Sequence, residues 1–431
     1  MLSDCLGLSP EGHLTIGGCD TPELAVRYGT PLYVVDETLL RKNCADYVRS
    51  IADYFDGNGQ VLFACKALCC KEVLRVAADE GVAFDCCSSG EIYTAIAAGV
   101  AAEKIFFHGN NKTKDEISYA VAVGVGCFMI DNLQELQNIN EEAKKQEKTV
   151  KAILRIKPGI DAHTHEFIKT GQIDSKFGFA LETGEAMAAT EAALQWEHIA
   201  LCGVHCHIGS QIFDAAPFVL AAERLMDFMI EARERFGVSM TMLDLGGGYG
   251  IRYTEDDHHL PYTQYLEGVA QAVKAKARQH DFAVPSILIE PGRSIPGAAG
   301  ITLYEVGTVK HIPHIRDYVI VDGGMVDNPR YIMYGAKYTV VCANKAGEPA
   351  TETVTVAGRC CESGDLIQEH TKLQPVSGGD ILAVLSTGAY NYSMSSNYNR
   401  MPRPPMVMTK NGAARVIVRG ETIEELCRND I

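Results

Sequence analysis

The sequence has no apolar run long enough to cross a membrane and no excess of basic residues. Its 55 Asp and Glu residues outnumber 39 Lys and Arg residues, which gives a formal net charge of -16 at pH 7. Nucleic acids and anionic membranes attract basic surfaces, so neither is expected as a partner. The amino terminus also lacks the basic and then apolar order of a signal peptide, and we therefore expect a cytoplasmic protein that acts on a small molecule.

A C-x-x-C motif is likewise missing, although the chain has 15 cysteines. Several of them stand in adjacent pairs, at 69–70, 86–87 and 360–361. A zinc ribbon needs C-x-x-C pairs, so a structural zinc site of that kind is not expected. Reduced cytosolic thiols pack as small apolar groups, and we expect most of these cysteines to fill the core.

The length and composition permit two domains with substantial cores. Of the 431 residues 47% are hydrophobic and 22% are charged, as in ordinary globular proteins. Residues 1–35 hold short strand-like pieces, and we expect this amino-terminal segment to pack with the carboxy-terminal part of the chain. Strands and helices alternate over residues 36–300, and the helical period fades over residues 301–431.

The segment 36–300 contains eight candidate strands separated by helical patterns. The strands are Val61–Cys65, Ala83–Cys87, Ile105–His108, Gly126–Ile130, Ala152–Ile156, Leu201–His207, Met242–Leu245 and Ile287–Glu290. The helical patterns include Glu91–Ala98, Lys114–Val123, Leu133–Lys145, Phe218–Arg235 and Tyr262–Gln279. Eight such units in about 250 residues favour a (β/α)8 TIM-type barrel over an open doubly wound sheet.

Polar residues stand at or just after the carboxyl ends of these strands, which in a barrel all open at one mouth. They are Lys66, His108, Asp131, Arg155, His207, Gly246 and Glu290. The active site is therefore expected at that mouth.

Residues 301–431 alternate apolar and polar residues between Gly, Pro and Asn turns. The candidate strands are Val306–Lys310, Tyr318–Val321, Tyr338–Ala343, Glu352–Ala357, Ile381–Leu385 and Arg415–Arg419. This pattern predicts a carboxy-terminal antiparallel β domain.

Lys66 follows a short apolar run that has the composition of a buried parallel strand. A lysine at such a strand end is poorly hydrated, so its pKa can fall toward the range where the amine attacks carbonyls. The same residue could instead be a surface lysine whose stem covers the strand end. The stretch by itself leaves both interpretations open.

A glycine run, Gly246, Gly247 and Gly248, follows another strand. Without Cβ atoms, the N–H groups of such a run can converge on a phosphate. A tight turn between strand and helix is the alternative.

Glu290 ends the last predicted strand of the barrel, and Arg293 follows it after a turn. A buried carboxylate needs a cationic or protonated partner. A structural ion pair with Arg293 and a ligand contact are both compatible with this spacing.

Two histidine pairs have H-x-H spacing, His163 with His165 and His205 with His207, and the second pair is expected on one side of a predicted strand. Such a pair can bind metal, but neither has a third ligand near it in the sequence. A core histidine or a ring stacked on a planar ligand is favoured, and a metal-dependent barrel hydrolase that uses His205 and His207 is kept as an alternative.

Two polar loops bounded by glycine lie in the β domain, and such loops often carry function. One contains Cys361 and Glu362, and the other contains Tyr390. Cys361 could be a buried structural thiol or a proton donor, and the spacing does not decide between them.

The order of these motifs along essentially the whole chain resembles the barrel-type, alanine-racemase-like decarboxylases that use pyridoxal phosphate (PLP). This family includes the diaminopimelate, ornithine and arginine decarboxylases. The motifs that carry the resemblance are FACKA at 63–67, DCCSSGE at 85–91, HGNNK at 108–112, SKFGF at 175–179, GVHCHIGSQ at 203–211, DLGGGYGI at 244–251, EPGRS at 290–294, VDGGM at 321–325, CESGD at 361–365 and GAYNYSMSSNYN at 388–399.

The resemblance implies how the cofactor is held. Lys66 binds PLP covalently, Glu290 faces the pyridine nitrogen and keeps it protonated, and His207 stacks on the ring. The residues implied around the phosphate and the adjoining substrate site are Ser210, Gly246, Gly247, Gly248, Gly292, Arg293 and Tyr390. The ring then acts as an electron sink when CO2 leaves the substrate.

The resemblance also implies a set of substrate residues, namely Arg293, Arg330, Tyr334, Glu362 and Tyr390, and no metal. Cys361 is implied to deliver a proton to the substrate carbon and Glu362 to contact the distal amino group, both from the partner subunit. A homodimer with active sites at the subunit interface is therefore expected. The family often has proline where this chain has Tyr331 and Arg359, which leaves the conformation of these loops open.

The expected reaction is the decarboxylation of meso-2,6-diaminopimelate to L-lysine and CO2, the final step of lysine biosynthesis. A related decarboxylase of another basic amino acid, such as D-lysine, D-ornithine or arginine, is the alternative. Arg293 and Arg330 favour the first reading because diaminopimelate carries a second carboxylate. A catalytically silent PLP-binding protein is a further alternative, and the joint presence of Lys66, Cys361 and Glu362 speaks against it.

Overall fold

The computed structural model describes residues 2–160 and 174–431. The chain forms two compact units. The first comprises residues 1–43, 251–258 and 293–431, and the second comprises residues 44–250 and 259–292. The divisions after residues 43 and 292 each lie eight residues from the boundaries expected at 35 and 300, and the assignment of 251–258 to the first unit was not predicted. Periodicity locates strands and helices, but it does not show in which unit a connecting segment makes its contacts.

The amino-terminal elements begin with a small antiparallel sheet of three short strands. The elements are β1 (Leu6–Leu8), β2 (Leu14–Ile16), β3 (Cys19–Asp20), α1 (Thr21–Tyr28), β4 (Leu32–Asp36) and α2 (Glu37–Phe55). Asp20 caps helix α1, and its side chain accepts a hydrogen bond from the Glu23 N–H. The proline in the first turn suits this helix start, because an N–H at that position would have no partner within the helix.

The second unit is a closed barrel of parallel strands, as predicted. Its strands are β5 (Gly59–Ala64), β6 (Ala83–Cys86), β7 (Ile105–Phe107), β8 (Cys127–Ile130), β9 (Val150–Lys157), β11 (Ile199–His205), β12 (Met242–Asp244) and β13 (Ser286–Ile289). Strand β13 pairs with β5, and β8 pairs with β9, which closes the ring. A two-residue strand, β10 (Phe179–Ala180), pairs in parallel with the last two residues of β9.

Helices connect these strands around the barrel. They are α3 (Lys71–Asp79), α4 (Ser89–Ala97), α5 (Lys114–Val123), α6 (Leu133–Lys145), α7 (Glu185–Ala193), α8 (Ala216–Phe236) and α9 (Tyr262–Gln279). Ser88, Thr113 and Asn132 cap α4, α5 and α6 with side-chain oxygens, because the first N–H groups of a helix lack partners within it. No helix in the described ranges has the length and apolar character needed to cross a membrane.

The first unit is built on a second sheet. Its further elements are β14 (Gly300–Ile312), β15 (Arg316–Val321), α10 (Arg330–Tyr334), β16 (Val340–Cys342), β17 (Glu352–Ala357), β18 (Leu366–Leu373), β19 (Ile381–Val384), β20 (Met406–Lys410) and β21 (Ala413–Val418). The strand order is β18-β17-β15-β14-β4-β20-β21, with β19 paired to β14 and β16.

This sheet is mixed, so the expectation of a purely antiparallel domain needs correction. Strand β15 runs parallel to β17, and β4 runs parallel to β20. The remaining pairs are antiparallel. Strands β18 and β20 were not predicted. The alternation of apolar and polar residues shows that a segment is a half-buried strand, but it does not show the direction of its neighbour.

All 15 cysteines are free thiols, and nine of them are buried. Most therefore fill the core, as expected from the missing C-x-x-C motifs. Cys361 is one of the exposed ones.

Candidate active site

Lys66 lies directly after β5, in a short 3-10 turn formed by Cys65–Ala67. Its two neighbours are buried, whereas the lysine itself is exposed at the carboxyl end of a barrel strand. Burial raises the pKa of Asp85 above its ordinary value, and the positive charge of Lys66 opposes that rise. Burial and the charge of Lys66 together hold the pKa of His207 well below its usual range. Lys66 therefore belongs to a group of ionisable side chains at the barrel mouth and is not an isolated surface residue.

Glu290 follows β13 and is 5% exposed. Its Oε2 accepts a hydrogen bond of 3.2 Å from Nε2 of His205. Its Oε1 lies 3.0 Å from Nε2 of His108, without the alignment of a hydrogen bond. Burial would raise the pKa of Glu290, but the two imidazoles hold it well below its ordinary value. The carboxylate is therefore ionised at neutral pH and has one buried oxygen available to a further donor.

His205 is fully buried at the end of β11, and burial lowers its pKa to about 4. The neutral ring donates to Glu290 through Nε2. One ligand atom from each of His108, His205 and Glu290 lies within 4.8 Å of the others, a spacing that could hold a metal ion.

His207 is not part of that group. Strand β11 ends at His205, so the strand alternation that placed both histidines on one side does not extend to His207. Its Nδ1 instead accepts a hydrogen bond of 3.2 Å from the Gly247 N–H. Among the described residues, the group with metal-ligand spacing therefore contains His205 but not His207. The other pair, His163 and His165, lies outside the described residues.

The glycine run is required by close backbone packing. Gly246 has φ +66° and Gly248 has φ +121°, in the region that favours glycine. A Cβ on Gly247 would lie 2.0 Å from the carbonyl oxygen of Glu290. These contacts support the predicted tight turn, and they account for the glycines without a ligand.

The N–H groups of the run are only partly available to an anion. The Gly246 N–H donates to Oδ1 of Asp244 at 2.9 Å, and the Gly247 N–H is bound to His207. No hydrogen bond among the described residues uses the Gly248 N–H. The Ile212 N–H donates to the Gly248 carbonyl at 2.9 Å, which brings the loop with Ser210 beside the run.

Three further buried polar residues lie at the mouth. His108 was expected there without a specific role, and Asp85 and Asp244 were not among the residues expected there. Asp244 is fully buried, and burial, with the nearby charge of Glu290, raises its pKa well above the ordinary value. Asp85 is the last residue but one of β6, Asp244 ends β12, and His108 follows β7. Positions close to the ends of predicted strands are the signal that could have added Asp85 and Asp244 to the residues expected at the mouth.

Two arginines meet in the first unit. Arg293 and Arg330 are 8% and 7% exposed. Nη1 of Arg293 donates to the phenol oxygen of Tyr253 at 2.6 Å, and Nη1 of Arg330 donates to the same oxygen at 3.0 Å. Nη1 of Arg330 also donates to the phenol oxygen of Tyr338 at 2.8 Å. We call Arg293, Arg330, Tyr253 and Tyr338 the arginine cluster.

Two further predicted substrate residues border this cluster. The Tyr390 ring lies 4.7 Å from Cζ of Arg293 and 6.0 Å from Cζ of Arg330. The Tyr334 ring lies 6.0 Å from Cζ of Arg330. Tyr390 has φ +67°, an uncommon conformation for a bulky residue that is often found at functional sites. The structure therefore brings Arg293, Arg330, Tyr334 and Tyr390 together.

Cys361 and Glu362 lie on a loop whose backbone is fixed but whose side chains are exposed. The Asp365 carboxylate accepts from the N–H groups of Met325 and Cys360, each at 2.6 Å. Among the described residues, no hydrogen bond or ion pair joins Cys361 or Glu362 to the arginine cluster. These two residues thus face solvent in a single chain.

The two positions where the family often has proline have defined partners. The phenol of Tyr331 donates to Oε2 of Glu369 at 2.5 Å. The Arg359 N–H donates to the carbonyl of Gly323 at 2.9 Å, a bond that proline could not make. The first contact depends on the tyrosine side chain, and the second only on a residue other than proline.

Comparison with known proteins agrees with this geometry. Residues 40–297 match the family described as pyridoxal-dependent decarboxylase, pyridoxal binding domain. A diaminopimelate decarboxylase from Bacillus subtilis (strain 168) is 48% identical over 420 residues, which cover 97% of this chain and 95% of the relative. A protein of the same name from Staphylococcus aureus (strain COL) is 43% identical and covers 97% of this chain and 98% of its own.

The structural comparison gives a similar result. A crystal structure of diaminopimelate decarboxylase from M. jannaschii in complex with L-lysine matches with a TM-score of 0.91 and 36% identity. The match covers 100% of this chain and 99% of that one.

Proposed function

The chain belongs to the diaminopimelate decarboxylases within the pyridoxal-dependent decarboxylase family, and we propose that it converts meso-2,6-diaminopimelate to L-lysine and CO2. The observation that carries the choice of substrate is Arg330. It is buried and has no carboxylate within ion-pair distance among the described residues. A buried guanidinium in this state calls for an anionic ligand, and diaminopimelate brings a second carboxylate that D-lysine, D-ornithine and arginine lack.

PLP is the proposed cofactor, and the residues at the barrel mouth fit it. Oε1 of Glu290 is buried without a hydrogen-bond partner among the described residues, so a protonated ring nitrogen would satisfy it. Lys66 offers an amine for covalent attachment, and Ser210, Gly248 and Gly292 are proposed to hold the phosphate. When bound, PLP supplies a sink for the electrons left on the substrate carbon as CO2 departs.

The chain's own residues set the conditions for this chemistry. Glu290 stays ionised because His108 and His205 surround it. His207 is neutral at pH 7 and its ring is oriented by the Gly247 N–H, so it can stack on a planar cation without adding charge. Arg293 and Arg330, with Tyr334 and Tyr390, are proposed to bind the substrate.

We further propose a homodimer in which Cys361 and Glu362 serve the partner subunit. Both side chains are exposed, and neither has a contact with the arginine cluster in its own chain among the described residues. Cys361 would deliver the proton to the substrate carbon, and Glu362 would bind the distal amino group. The free thiols are consistent with the proposed cytoplasmic location.

A direct assay tests the proposed reaction. CO2 release is measured with the PLP-saturated protein on meso-2,6-diaminopimelate, D-lysine, D-ornithine and arginine. We expect kcat/KM for diaminopimelate to exceed the others by about 100-fold or more. Lys66→Ala should lose both turnover and the visible cofactor absorption, whereas Lys71→Ala, an exposed lysine on α3, should keep both. A larger kcat/KM for another substrate would overturn the proposal, and absorption without turnover on any diamino acid would indicate a silent protein.

The shared site is tested by mixing two inactive variants, Lys66→Ala and Cys361→Ala. If each site needs Lys66 from one subunit and Cys361 from the other, half of the mixed dimers are hybrids with one intact site. Activity should then recover to roughly a quarter of wild type. No recovery after subunit exchange would show that Cys361 acts within its own chain.

A further inference from the structure

Tyr253 is hydrogen-bonded to both arginines of the arginine cluster. It belongs to the segment 251–258, which lies between β12 and α9 in the sequence but is part of the first unit. Its phenol oxygen accepts hydrogen bonds from both Arg293 and Arg330, at 2.6 and 3.0 Å. The two donor nitrogens can therefore be no farther apart than the sum of these distances, 5.6 Å.

Two guanidinium groups held this close and largely buried repel each other unless an acceptor lies between them. The phenol oxygen is that acceptor. Burial by itself would raise the pKa of Tyr253, but Arg293 and Arg330 lower it below the ordinary value. A lowered pKa agrees with this geometry, because two positive charges next to the phenol oxygen stabilise negative charge on it.

The oxygen of Tyr253 is itself held in place. The residue is 5% exposed, and its ring packs edge to face against Tyr338 at 5.2 Å. The Tyr253 carbonyl accepts from both the N–H and the hydroxyl of Thr339, at 3.2 and 2.9 Å. Because backbone and ring are both fixed, the phenol oxygen is a rigid reference point for the two arginines.

We propose that Tyr253 is a positioning residue that determines specificity, because its phenol oxygen holds Arg293 and Arg330 side by side as one receptor for the carboxylate that the substrate retains. This inference rests on the proposed function. Diaminopimelate loses one of its two carboxylates as CO2, and L-lysine keeps the other. Two guanidiniums within reach of one carboxylate bind it more tightly than one, provided that their separation is fixed before the ligand arrives.

The matched ligands are L-lysine and 1,5-diaminopentane, which differ by only that carboxylate. Their dissociation constants are measured by calorimetry on the PLP-loaded dimer, so the result does not depend on turnover. In Tyr253→Phe, which keeps the ring but removes the oxygen, we expect the preference for L-lysine over 1,5-diaminopentane to fall about tenfold or more. Binding of 1,5-diaminopentane and the visible cofactor absorption should change little.

Tyr338→Phe is the control, because the Tyr338 oxygen contacts Arg330 but makes no hydrogen bond with Arg293 among the described residues. Its loss of preference should be smaller than that of Tyr253→Phe. An equal or larger loss in the control, an unchanged preference in folded Tyr253→Phe, or equal weakening of both ligands would overturn the inference.

If Tyr253→Phe does not fold, 4-aminophenylalanine at position 253 keeps the shape of the side chain and replaces the phenol oxygen by an aromatic amino group, which is a much weaker acceptor. The preference should then fall partially, and an unchanged preference would again overturn the inference. Failure of the proposed function is a separate outcome, because it would be seen as absence of CO2 release from diaminopimelate by the wild-type protein.

Discussion

The barrel mouth and the arginine cluster both bury charge, but they stabilise charges of opposite sign by different means. At the barrel mouth the Glu290 carboxylate is surrounded by imidazoles. In the arginine cluster two guanidiniums share the phenol oxygen of Tyr253, and Arg330 also donates to the phenol oxygen of Tyr338. The first arrangement is suited to a cationic group and the second to an anionic one. Each site therefore favours a ligand group of the opposite charge.

One buried group in each unit illustrates the two directions in which burial can make stability depend on pH. In the barrel, His205 has a pKa lowered by burial to about 4, so its contribution to stability is present above pH 6.5 and is lost as the pH falls through 4. In the first unit, Asp327 has a pKa raised by burial to about 7. Its contribution is present in full below pH 3.8 and is lost as the pH rises through 7.

The largest effect is expected for Glu290→Gln, which keeps the shape of the side chain but removes its charge. A neutral amide cannot hold a ring nitrogen protonated, so kcat should fall about 100- to 1000-fold while KM changes much less. Steady-state kinetics with added PLP measure both constants. Glu103→Gln, an exposed residue, is the control and should match the wild type. A change confined to KM would contradict the role assigned to the barrel mouth.

Arg330→Lys should change KM more than kcat, which is the reverse of the effect expected for Glu290→Gln. The ammonium keeps the charge but loses the planar guanidinium, which donates to two phenol oxygens and is proposed to bind a substrate carboxylate. We expect KM for diaminopimelate to rise about tenfold and kcat to change less than about threefold. Arg278→Lys, an exposed arginine on α9, provides the baseline. If kcat fell as far as in Glu290→Gln, the distinction between the two regions would be lost.

The smallest effect is expected for Asp327→Asn. This variant tests whether Asp327 makes the stability of the protein depend on pH. Asp327 is 1% exposed and its carboxyl contacts the Tyr304 hydroxyl. The folded protein keeps this proton up to about pH 7, whereas the unfolded chain loses it near pH 3.8, so the wild type loses stability across that interval.

The asparagine cannot ionise, so that loss should disappear in the variant. Between pH 5 and pH 8 the unfolding temperature of the wild type should fall relative to that of Asp327→Asn by a few degrees, about 1 kcal/mol or more. Thermal melts at the two pH values measure this difference. Parallel pH profiles of the two proteins would show that Asp327 is not protonated in the folded state.

Much of the barrel could be predicted because each of its elements has a local signal. Helices α5, α6 and α9 have the predicted bounds, since apolar periodicity marks their length. Strand β17 also has its predicted bounds. Lys66 and Glu290 were recognised because a polar residue at the end of an apolar strand points to the barrel mouth.

The partners of these residues could not be predicted in the same way. The positions of His108 and His205 in the sequence did not predict that both would contact Glu290. His207 was expected on the same side of a strand as His205, and the end of β11 removes that relation. No local sequence pattern indicated a role for Tyr253. Its role depends on Arg293 and Arg330, which lie 40 and 77 positions further along the chain.

The sequence by itself determined the alternating strands and helices, the positions of the chemically active residues and the family to which they point. These depend on local periodicity, caps and motifs, which neighbouring residues encode together. Only the tertiary structure decided which strands run parallel in the mixed sheet and which partner each buried charge has. Those choices are made between segments distant in the chain, where burial makes an unpaired charge costly and packing selects which side chain relieves that cost.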